Sequence, residues 1–485
     1  MAFTFKGGIH PATNKNTRKS PITPITPPAS VCIPLSQHVG APCTPCVKVG
    51  DVVDKGQIIG TADPDKLGCP AHASVSGRVT KIDTICLNGA LPVTAITIEN
   101  DFQNRISPAI QPFEGDIRSL DANQIVQVIR DAGIAGMGGA TFPTYAKVAS
   151  AAGKVSSLIV NCAECEPYIT ANHRLLLEHP EKVVGGIKIL LKALSVRTAV
   201  LAIEKNKMDA VKAVAALDFD PEMIRICVMK TKYPQGDERQ LIYALTGKEI
   251  PAGKLPSDIG YVVFNAETCA AIYNAFATGM PLIERIVTVD GDCVESPSNL
   301  LVPLGTPVLD LLEYCHTDLE KASKLIVGGP MMGKALWEDR APVTKGTSAV
   351  LAFGRRSSKK ADESPCIRCG RCIAACPMHL MPRELFRAYM KGDLEKCRAL
   401  YATSCVECGS CSYSCPAKLD LTQAIAAAKQ QLRAKRPPSA PAVATKGGKE
   451  NSSCTGNAPE IKEKEELADK KSLEAENLME KEEKL

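Results

Sequence analysis

The sequence lacks any uninterrupted apolar stretch near the roughly 18 residues that a membrane-spanning helix requires. The best candidate, VVGGIKILLKAL, is broken by Lys188 and Lys192. The N-terminal segment, MAFTFKGGIHPATNKNTRKS, also lacks the apolar core of a secretory signal. We therefore expect a chain with no transmembrane segment that is not exported and that is soluble or lies on a membrane surface.

Charge of one sign is not concentrated in any part of the chain. The formal net charge is +5 over 485 residues, and no single arm or stripe carries it. Proteins that bind nucleic acid gather Lys and Arg on one face or segment. We therefore expect no nucleic-acid partner, and we expect proteins and small anions instead.

Cysteine, in contrast, is abundant, with 21 residues. In a reducing compartment we interpret such cysteines first as metal ligands and only second as disulfide partners. Two segments, CIRCGRCIAACP (366–377) and CVECGSCSYSCP (405–416), share the spacing of bacterial ferredoxins that hold two [4Fe–4S] clusters. In that pattern three cysteines of a motif bind one cluster and the fourth reaches the other. The predicted ligands are Cys366, Cys369, Cys372 and Cys415 for cluster 1, and Cys376, Cys405, Cys408 and Cys411 for cluster 2. Zinc knuckles or disulfides are the alternative, but tetrahedral zinc has no use for a doubled eight-cysteine pattern.

The rest of the chain divides into units by its hydrophobic period. Residues 1–110 alternate short β-branched runs with Gly and Pro, which predicts a small all-β unit. Residues 115–280 alternate strands (157–161, 198–204, 224–229, 261–265) with helices (179–193, 207–217, 238–246, 267–278), which predicts a parallel α/β sheet. Residues 281–352 predict a small α+β unit and 360–432 a helical module with the cysteine motifs. Residues 433–485 are rich in Lys and Glu and predict a disordered tail or a solvated helix, with docking as the minority interpretation.

A glycine-rich loop in the α/β unit, GMGGATFPTYAK from Gly136, can bring backbone amides close to a phosphate, although a plain tight turn is an equal alternative. Three further segments, VNCAECEPYIT, YPQGDERQL and FNAETC, lie at the ends of strands or the start of a helix. Ligands of parallel sheets bind at the carboxyl ends of the strands. We therefore expect these four segments to converge on one edge of the sheet.

These four segments resemble the flavin and NADH site of the complex I flavoprotein subunit, and more closely the C-subunit family of the Rnf ferredoxin:NAD oxidoreductase complex. The resemblance covers nearly the whole folded chain. It implies an N-terminal lipoyl-like (barrel-sandwich) unit, a Rossmann-like flavin domain, a β-grasp unit and a dicluster ferredoxin module. The sequence departs from the complex I pattern at Met137, at Cys162 and Ala163, and at Asp237.

The resemblance also implies ligands. It places the glycine loop against FMN, Asn161, Glu164 and Asn265 at the flavin ring or ribityl chain, and Phe142, Lys147 and Glu166 nearer the nicotinamide nucleotide. The cofactor-binding residues that we carry over are Gly136, Gly138, Gly139, Phe142, Lys147, Asn161, Glu164, Glu166, Gly236, Asp237, Glu238, Asn265 and Thr268. No catalytic side chain is predicted, since the cofactors carry the chemistry.

The implied function is electron transfer between reduced ferredoxin and NAD(H) through two [4Fe–4S] clusters and non-covalent FMN. FMN is needed because hydride carries two electrons and each cluster accepts one. The family further implies membrane-embedded and ferredoxin-like partner subunits, Na⁺ or H⁺ transport by the complex, and a peripheral position on the cytoplasmic face of the cell membrane. Two alternatives stay open: a soluble flavin and iron–sulfur reductase of a corrinoid, and an electron-relaying adaptor without nucleotide binding, which Met137 and Ala163 motivate.

Some residues have the features of a site and allow an ordinary interpretation. The turn CPAHASVSGRV stands where a lipoyl carrier has its modifiable Lys, and it has none, so we expect a docking or structural unit. Cys43 with Cys46 and Cys162 with Cys165 form C-x-x-C pairs that we interpret as free or buried thiols. His72 is interpreted as a loop histidine, and GGPMMG (328–333) either packs against a cluster or forms an ordinary turn.

Overall fold

A computed structural model describes residues 3–87, 92–359 and 362–434. Most of the predicted tail (433–485) therefore lies outside the described residues. Its first two residues, Arg433 and Ala434, belong to the last described helix, so the folded region continues slightly beyond the predicted boundary. No described helix is long and apolar enough to cross a membrane.

The strands are β1 (Ile22–Pro24), β2 (Ser30–Pro34), β3 (Thr44–Pro45), β4 (Val52–Val53), β5 (Ile58–Thr61), β6 (Ala71–His72), β7 (Gly77–Cys86), β8 (Pro92–Asn100), β9 (Ser157–Cys162), β10 (Thr198–Glu204), β11 (Ile224–Met229), β12 (Tyr261–Asn265), β13 (Glu284–Asp290), β14 (Ser298–Pro303), β15 (Ala322–Val327), β16 (Lys334–Leu336) and β17 (Ala349–Gly354). The helices are α1 (Ala122–Asp131), α2 (Thr144–Ala151), α3 (Ala171–Glu178), α4 (Pro180–Leu194), α5 (Met208–Ala215), α6 (Glu238–Thr246), α7 (Ala266–Thr278), α8 (Val308–Tyr314), α9 (Arg355–Ser358), α10 (Arg371–Ala375), α11 (Pro382–Met390), α12 (Leu394–Ala399), α13 (Ser410–Tyr413) and α14 (Leu421–Ala434). Short 3₁₀ helices occupy Asn16–Lys19, Ile117–Ser119, Lys205–Lys207, Pro256–Ile259 and Ala402–Ser404.

Two small antiparallel sheets form the N-terminal β unit. One has the order β2-β8-β7-β4 and the other β3-β5-β6. Their inward β-branched residues, including Val31, Ile59 and Ile96, are buried in one core. Alternation of buried and exposed residues along β2 and β8 is what a half-buried sheet requires, and the sequence has it.

A parallel sheet with the order β11-β10-β9-β12 forms the α/β unit. Its strands are short and mostly apolar; α4 and α7 cover one face and α6 packs on the other. In chain order the arrangement is 3-2-1-4, so the direction of winding reverses between β9 and β12. Ligands of doubly wound sheets bind at that reversal, outside the carboxyl ends of the strands.

A mixed sheet, β1-β14-β13-β17-β15-β16, forms the third unit around α8. Its first strand does not come from the predicted segment 281–352. It is β1, which pairs in parallel with β14 from Ile22↔Asn299 to Pro24↔Leu301. The predicted unit 1–110 includes β1, whereas β1 belongs to the mixed sheet. The short run ITP lies between prolines and contains no local feature that indicates a partner strand so far along the chain.

The N-terminal segment before β1 runs over several units, and we call residues 3–25 the strap. Phe3 bridges to Met229 at the end of β11, and Ile9 bridges to Tyr233. Gly8 N donates to Ala375 O at 2.9 Å, in the cysteine-rich module. The strap thus joins the α/β unit, the cysteine-rich module and the mixed sheet by backbone hydrogen bonds.

The cysteine-rich module is built from short helices, α10 to α14, as the long segment between the two motifs predicts. Its apolar core includes Leu385, Cys397 and Ile425. Gly370 and Gly409 each adopt a left-handed backbone (φ 75° and 78°) before α10 and α13. A positive φ is easily reached by glycine, so each motif can turn sharply between its second and third cysteines.

Candidate functional site

The first predicted cysteine set lines one cavity of about 150 Å³. Cys366, Cys369, Cys372 and Cys415 all contribute to its wall. Cys366 and Cys369 are exposed, and the neighbouring Ile367 is 67% exposed. This cavity is therefore at the surface of the module.

The second predicted set lines a different and narrower cavity, of about 20 Å³. Its wall contains Cys376, Cys405, Cys408 and Cys411, and apolar groups such as Val406 complete it. Three of the four cysteines are buried. Each cavity thus receives three cysteines of one motif and the fourth of the other, the arrangement that the spacing predicts.

The chemistry of both donor sets fits [4Fe–4S] clusters. Four cysteines surround each cavity, and backbone amides point at the sulfurs, since Leu380 N lies 3.4 Å from Cys376 Sγ and Glu407 N lies 3.4 Å from Cys405 Sγ. Burial raises the pKa of Cys405 to about 12 and that of Cys408 to about 11. Thiolates at these positions therefore need a cation, and iron bound to sulfur supplies that charge.

The glycine loop lies at the reversal point of the parallel sheet. Asn161, next to the last residue of β9, and Asn265, the last residue of β12, are register partners on the two strands that flank this point. A Cβ on Gly138 would lie 3.0 Å from the Asn265 Cβ, whereas a Cβ on Gly139 would meet nothing within 4 Å. Gly138 therefore packs on the strand end, and Gly139 leaves open space beside it.

All four predicted segments meet at this edge. Met137 N donates to Thr268 Oγ1 at 3.1 Å, which ties the loop to α7. Asn161 Nδ2 donates to Gly236 O at 2.8 Å, which ties β9 to the loop before α6. Lys147 and Glu238 form an ion pair at 2.9 Å across the mouth of the site, between α2 and α6. The convergence expected from the strand ends is present.

Three of the predicted cofactor-binding residues accept hydrogen bonds from backbone amides at the start of a helix. Asp237 accepts from Arg239 N and Gln240 N and begins α6, Asn265 accepts from Glu267 N and begins α7, and the Glu164 carboxylate accepts from Asn172 N and His173 N at the start of α3. Capping satisfies amides that the first helical turn leaves free. The sequence prediction did not include these structural roles. Gly136, another predicted contact, donates from its backbone to Phe142 O at 2.9 Å, while the Phe142 ring remains 37% exposed.

Glu166, which the resemblance places nearer the nicotinamide nucleotide, has its carboxylate hydrogen-bonded within the protein. Its carboxylate accepts from Met331 N at 3.1 Å and Met332 N at 2.9 Å, in the GGPMMG loop of the mixed-sheet unit. A Cβ on Gly329 would lie 2.2 Å from Glu166 Oε2, so only glycine permits this approach. Burial raises the pKa of Glu166 to about 7. Glu166 therefore anchors a neighbouring unit to the α/β unit.

The loop before α6 connects the sheet edge to the second cysteine cavity. Tyr233 is 1% exposed, and its hydroxyl donates to Cys408 O at 2.7 Å. Gly236, at the sheet edge, donates from its amide to Cys165 Sγ at 3.3 Å. Met331 packs in the same apolar cluster as Tyr233 and Cys408, so the GGPMMG loop lies against the second cysteine motif.

Two lysines that the sequence analysis missed hold the segment after β9. Lys15, from the strap, donates to Glu164 O at 2.9 Å and Glu166 O at 2.7 Å. Lys207 is buried and donates to Ala163 O and to the Glu204 carboxylate, both at 2.8 Å. Burial lowers the pKa of Lys15 to about 8. No local motif marks either residue. The backbone carbonyls that accept hydrogen bonds from Lys15 lie about 150 residues away along the chain.

Family models match four consecutive parts of the chain. They are described as "RnfC Barrel sandwich hybrid domain" (residues 3–103), "Nuo51 FMN-binding domain" (129–274), "SLBB domain" (286–335) and "4Fe-4S dicluster domain" (365–419). The FMN-binding model spans the parallel sheet, and the dicluster model spans both cysteine motifs. The chain is therefore a multidomain protein with a flavin-binding type of domain and a dicluster module.

Curated relatives match most of the chain. The C subunit of the Na⁺-translocating ferredoxin:NAD⁺ oxidoreductase complex of Acetobacterium woodii is 42% identical over 436 residues, 89% of this chain and 98% of the relative. Its proton-translocating counterpart in Clostridium ljungdahlii is 42% identical and covers 79% and 84% of the two chains. The C subunit of the ion-translocating oxidoreductase complex of Rhodobacter capsulatus is 40% identical, with 81% and 76% covered. Among solved structures, an NAD⁺-reducing [NiFe]-hydrogenase matches with a TM-score of 0.44 at 22% identity, over 66% of this chain and 64% of the other.

Proposed function

The chain belongs to the C-subunit family of ion-translocating ferredoxin:NAD oxidoreductase complexes, and from that premise we propose how its units carry electrons. It transfers electrons between reduced ferredoxin and NAD, through FMN at the sheet edge and two [4Fe–4S] clusters in the cysteine-rich module. The complex couples this transfer to transport of Na⁺ or H⁺. The relatives favour this function over reduction of a corrinoid, and the FMN-binding model favours it over a flavin-free adaptor.

One observation carries the proposal: each of two separate cavities is lined by the four cysteines that the crossed ferredoxin pattern assigns to it. Zinc knuckles would not need cysteines exchanged between two motifs. The exchange also brings the two cavities together, because Cys376 follows Cys372 within α10 and its cap while serving the other cavity. Two clusters held in this way can pass single electrons between them.

The residues at the sheet edge fit FMN. Gly139 leaves room for close approach of a ligand, Gly138 packs on the Asn265 side chain, and Asn161 and Asn265 stand on either side of the reversal point of the sheet. When bound, FMN converts a two-electron hydride transfer into single-electron steps. The chain itself contributes an edge of fixed geometry, held by Asn161 on Gly236 and by the Lys147–Glu238 pair. Lys147 and Glu238 lie at the mouth, where NAD(H) would approach.

We assign the buried cavity to the cluster nearest the flavin. Support comes from Tyr233, whose hydroxyl donates to Cys408 O while the same loop, at Gly236, receives the Asn161 side chain at the sheet edge. The exposed cavity then belongs to the cluster that meets the electron-donating partner. A short path through packed protein favours electron transfer more than a path through open solvent does.

The surface at cluster 1 supports a protein partner. Ile367, Ile373 and Met381 are 67%, 42% and 45% exposed beside it, and the Arg368 and Arg371 side chains add positive charge. An apolar patch ringed by charge is typical of a docking site. An acidic ferredoxin-like subunit of the same complex has the complementary charge, and a peripheral position on the cytoplasmic side of the membrane subunits would place it there.

The test is anaerobic reconstitution of the full chain followed by flavin and iron counts and an NADH titration. We expect one FMN and about eight iron atoms per chain, with flavin bleaching on NADH addition. Cys369→Ser should reduce the iron to about half, because one cluster loses a ligand. Cys397→Ser is the matched control, since Cys397 is buried in the same module but lines neither cavity.

Full iron retention in Cys369→Ser, or zinc in place of iron in the wild-type protein, would count against the cluster assignment. An absence of flavin after reconstitution with excess FMN would count against the sheet-edge assignment alone. The two parts of the proposal therefore fail separately.

A further inference from the structure

A buried lysine joins three units behind the glycine loop. Lys345, in the mixed-sheet unit, is 1% exposed. Its Nζ donates to Gly133 O at 2.7 Å, just before the glycine loop, and to Pro70 O at 2.9 Å, in the N-terminal β unit. Gly133 has a left-handed backbone (φ 62°), and a Cβ there would lie 2.6 Å from Pro70 O and 3.0 Å from Lys345 Nζ. The contact therefore requires glycine at this position.

The segments on either side of Lys345 hold the far end of the same loop. Gly346 packs on Thr141, since a Cβ there would lie 3.0 Å from the Thr141 methyl group. Val39 N donates to Thr141 O at 3.2 Å, and Gln37 Oε1 accepts from Lys345 N at 3.0 Å. The glycine loop is thus held at its entry by Lys345 and near its exit by Gly346 and Val39.

The ammonium group of Lys345 lacks a carboxylate partner among the described residues, whose ion pairs include none at this side chain. A buried cation without a counter-ion is costly. A group that can carry negative charge is the Cys69 thiol, whose Sγ lies 3.9 Å from Lys345 Nζ and 3.7 Å from Gly133 O, the carbonyl that Lys345 also contacts. Cys69 is 1% exposed, so solvent does not screen the pair.

We propose that Lys345 is a positioning residue for the flavin-binding glycine loop and that Cys69, as a thiolate, is the counter-ion that allows its ammonium group to be buried. The loop's role in binding FMN rests on the proposed function above. The pairing of Cys69 with Lys345 does not depend on it, because it follows from burial and distance alone.

The other titratable groups around Cys69 agree with a thiolate. Burial raises the pKa of the Cys69 thiol, but the Lys345 ammonium and a hydrogen bond from His38 outweigh it, and the net pKa is lowered. Burial lowers the pKa of His38, yet side-chain hydrogen bonds to the Cys43 and Cys69 sulfurs raise it to about 10. His72, on the other side, is kept neutral, since burial and the Lys345 charge lower its pKa to about 3.

The first experiment measures FMN affinity and iron content of the reconstituted full chain. Lys345→Met keeps the length of the side chain and removes the ammonium group, and it should raise the FMN Kd at least tenfold while the iron content stays unchanged. Lys324→Met is the matched control, because Lys324 is an exposed lysine of the same unit. An FMN Kd within twofold of wild type would overturn the positioning role. Wild-type protein that binds no FMN would instead refute the flavin site itself.

The second experiment tests the ion pair without flavin. Only S–H groups of the protein absorb in the S–H stretching region of the infrared spectrum, so the difference between wild type and Cys69→Ser isolates Cys69 from the other thiols. A thiolate predicts no S–H band lost in the variant, and a lost band would overturn the proposal. This comparison stands even if Lys345→Met does not fold.

A double-mutant cycle on FMN affinity separates the pair from independent packing effects. Cys69→Ser alone should raise the FMN Kd about threefold or more, because it leaves the ammonium group unneutralised. Added to Lys345→Met, the same change should alter the Kd by less than twofold, since no charge remains to be neutralised. If the fold-change in FMN Kd of the double variant equalled the product of the two single fold-changes, the pairing would be overturned.

Discussion

Glu166 shows how one carboxylate can link pH to the assembly of two units. Its carboxylate holds the Met331 and Met332 amides, and burial raises its pKa to about 7, above the ordinary value of 4.5. A raised pKa means that the folded protein binds the proton more tightly than the unfolded chain does. The stability that this proton contributes is therefore full below about pH 4.5 and is lost as the pH rises through about 7.

We predict that Glu166→Gln flattens this part of the pH profile. The amide keeps an acceptor for one of the two backbone donors and cannot titrate, so the midpoint of thermal unfolding should no longer fall between pH 5 and 7.5. In the wild type the fall corresponds to roughly 2 kcal/mol. Differential scanning calorimetry at several pH values measures it, with Glu181→Gln on the exposed start of α4 as control. An unchanged slope in Glu166→Gln would show that another group titrates.

At the residue scale, the sequence predicts which cysteines line each cavity, but it does not predict the hydrogen-bond partners of the acidic residues. Eight cysteines in two local motifs carry their spacing within a dozen residues, and the cavities contain the sets that the spacing assigns. Glu166 lies in a motif as well, but its partners are 165 and 166 residues away. A local motif identifies the residue but not its partners far along the chain. The resemblance could therefore imply a position for Glu166 nearer the nicotinamide nucleotide, but not its hydrogen bonds to Met331 and Met332.

At the element scale, two neighbouring glycines of the loop have different surroundings: Gly138 packs against protein, and Gly139 faces open space. A Cβ on Gly139 would meet no protein atom within 4 Å. We predict that Gly139→Ala leaves the thermal midpoint of the flavin-free protein unchanged and raises the FMN Kd about tenfold or more, because the added methyl group occupies the space for the ligand. Flavin fluorescence titration measures the affinity.

Gly138→Ala is the informative comparison for Gly139→Ala. Its Cβ would lie 3.0 Å from the Asn265 side chain, which caps α7, so this variant should lower the thermal midpoint as well as the affinity. Equal FMN affinity in Gly139→Ala and wild type would place the flavin elsewhere on the sheet.

The sequence also predicts the central elements closely and the peripheral ones poorly. β10 and β11 occupy residues 198–204 and 224–229, as the apolar runs indicate, because strands of a covered parallel sheet are mostly apolar. The sequence did not predict β1, because this strand is only three residues long and is defined by its pairing with β14. Pairing supplies the structure that local composition does not encode.

At the scale of the whole molecule, the strap contacts the α/β unit, the cysteine-rich module and the mixed sheet. Lys15 lies at its centre and donates to the carbonyls of Glu164, Glu166 and Ile169, in the segment that leads from β9 towards the site. Removing this ammonium group leaves three backbone acceptors without their donor. Each lost hydrogen bond to a charged group costs on the order of 1.5–3 kcal/mol.

We therefore predict that Lys15→Met lowers the thermal midpoint by several degrees and weakens FMN binding. Lys19→Met is the matched control, because Lys19 is an exposed lysine of the same strap. Calorimetry and flavin titration on the reconstituted protein measure both effects. A Lys15→Met variant that matches Lys19→Met in both would show that the strap is held by its backbone alone.

The position of the strap also has a consequence for how the protein is made. Asn16 bonds to Asp290, 274 residues further along, and Gly7 lies against the backbone of Cys376. The strap leaves the ribosome long before its partners exist, and contacts of such long range form slowly. Its contacts can be completed only after translation has passed the first cysteine motif, so a segment made early must wait for partners that are made late.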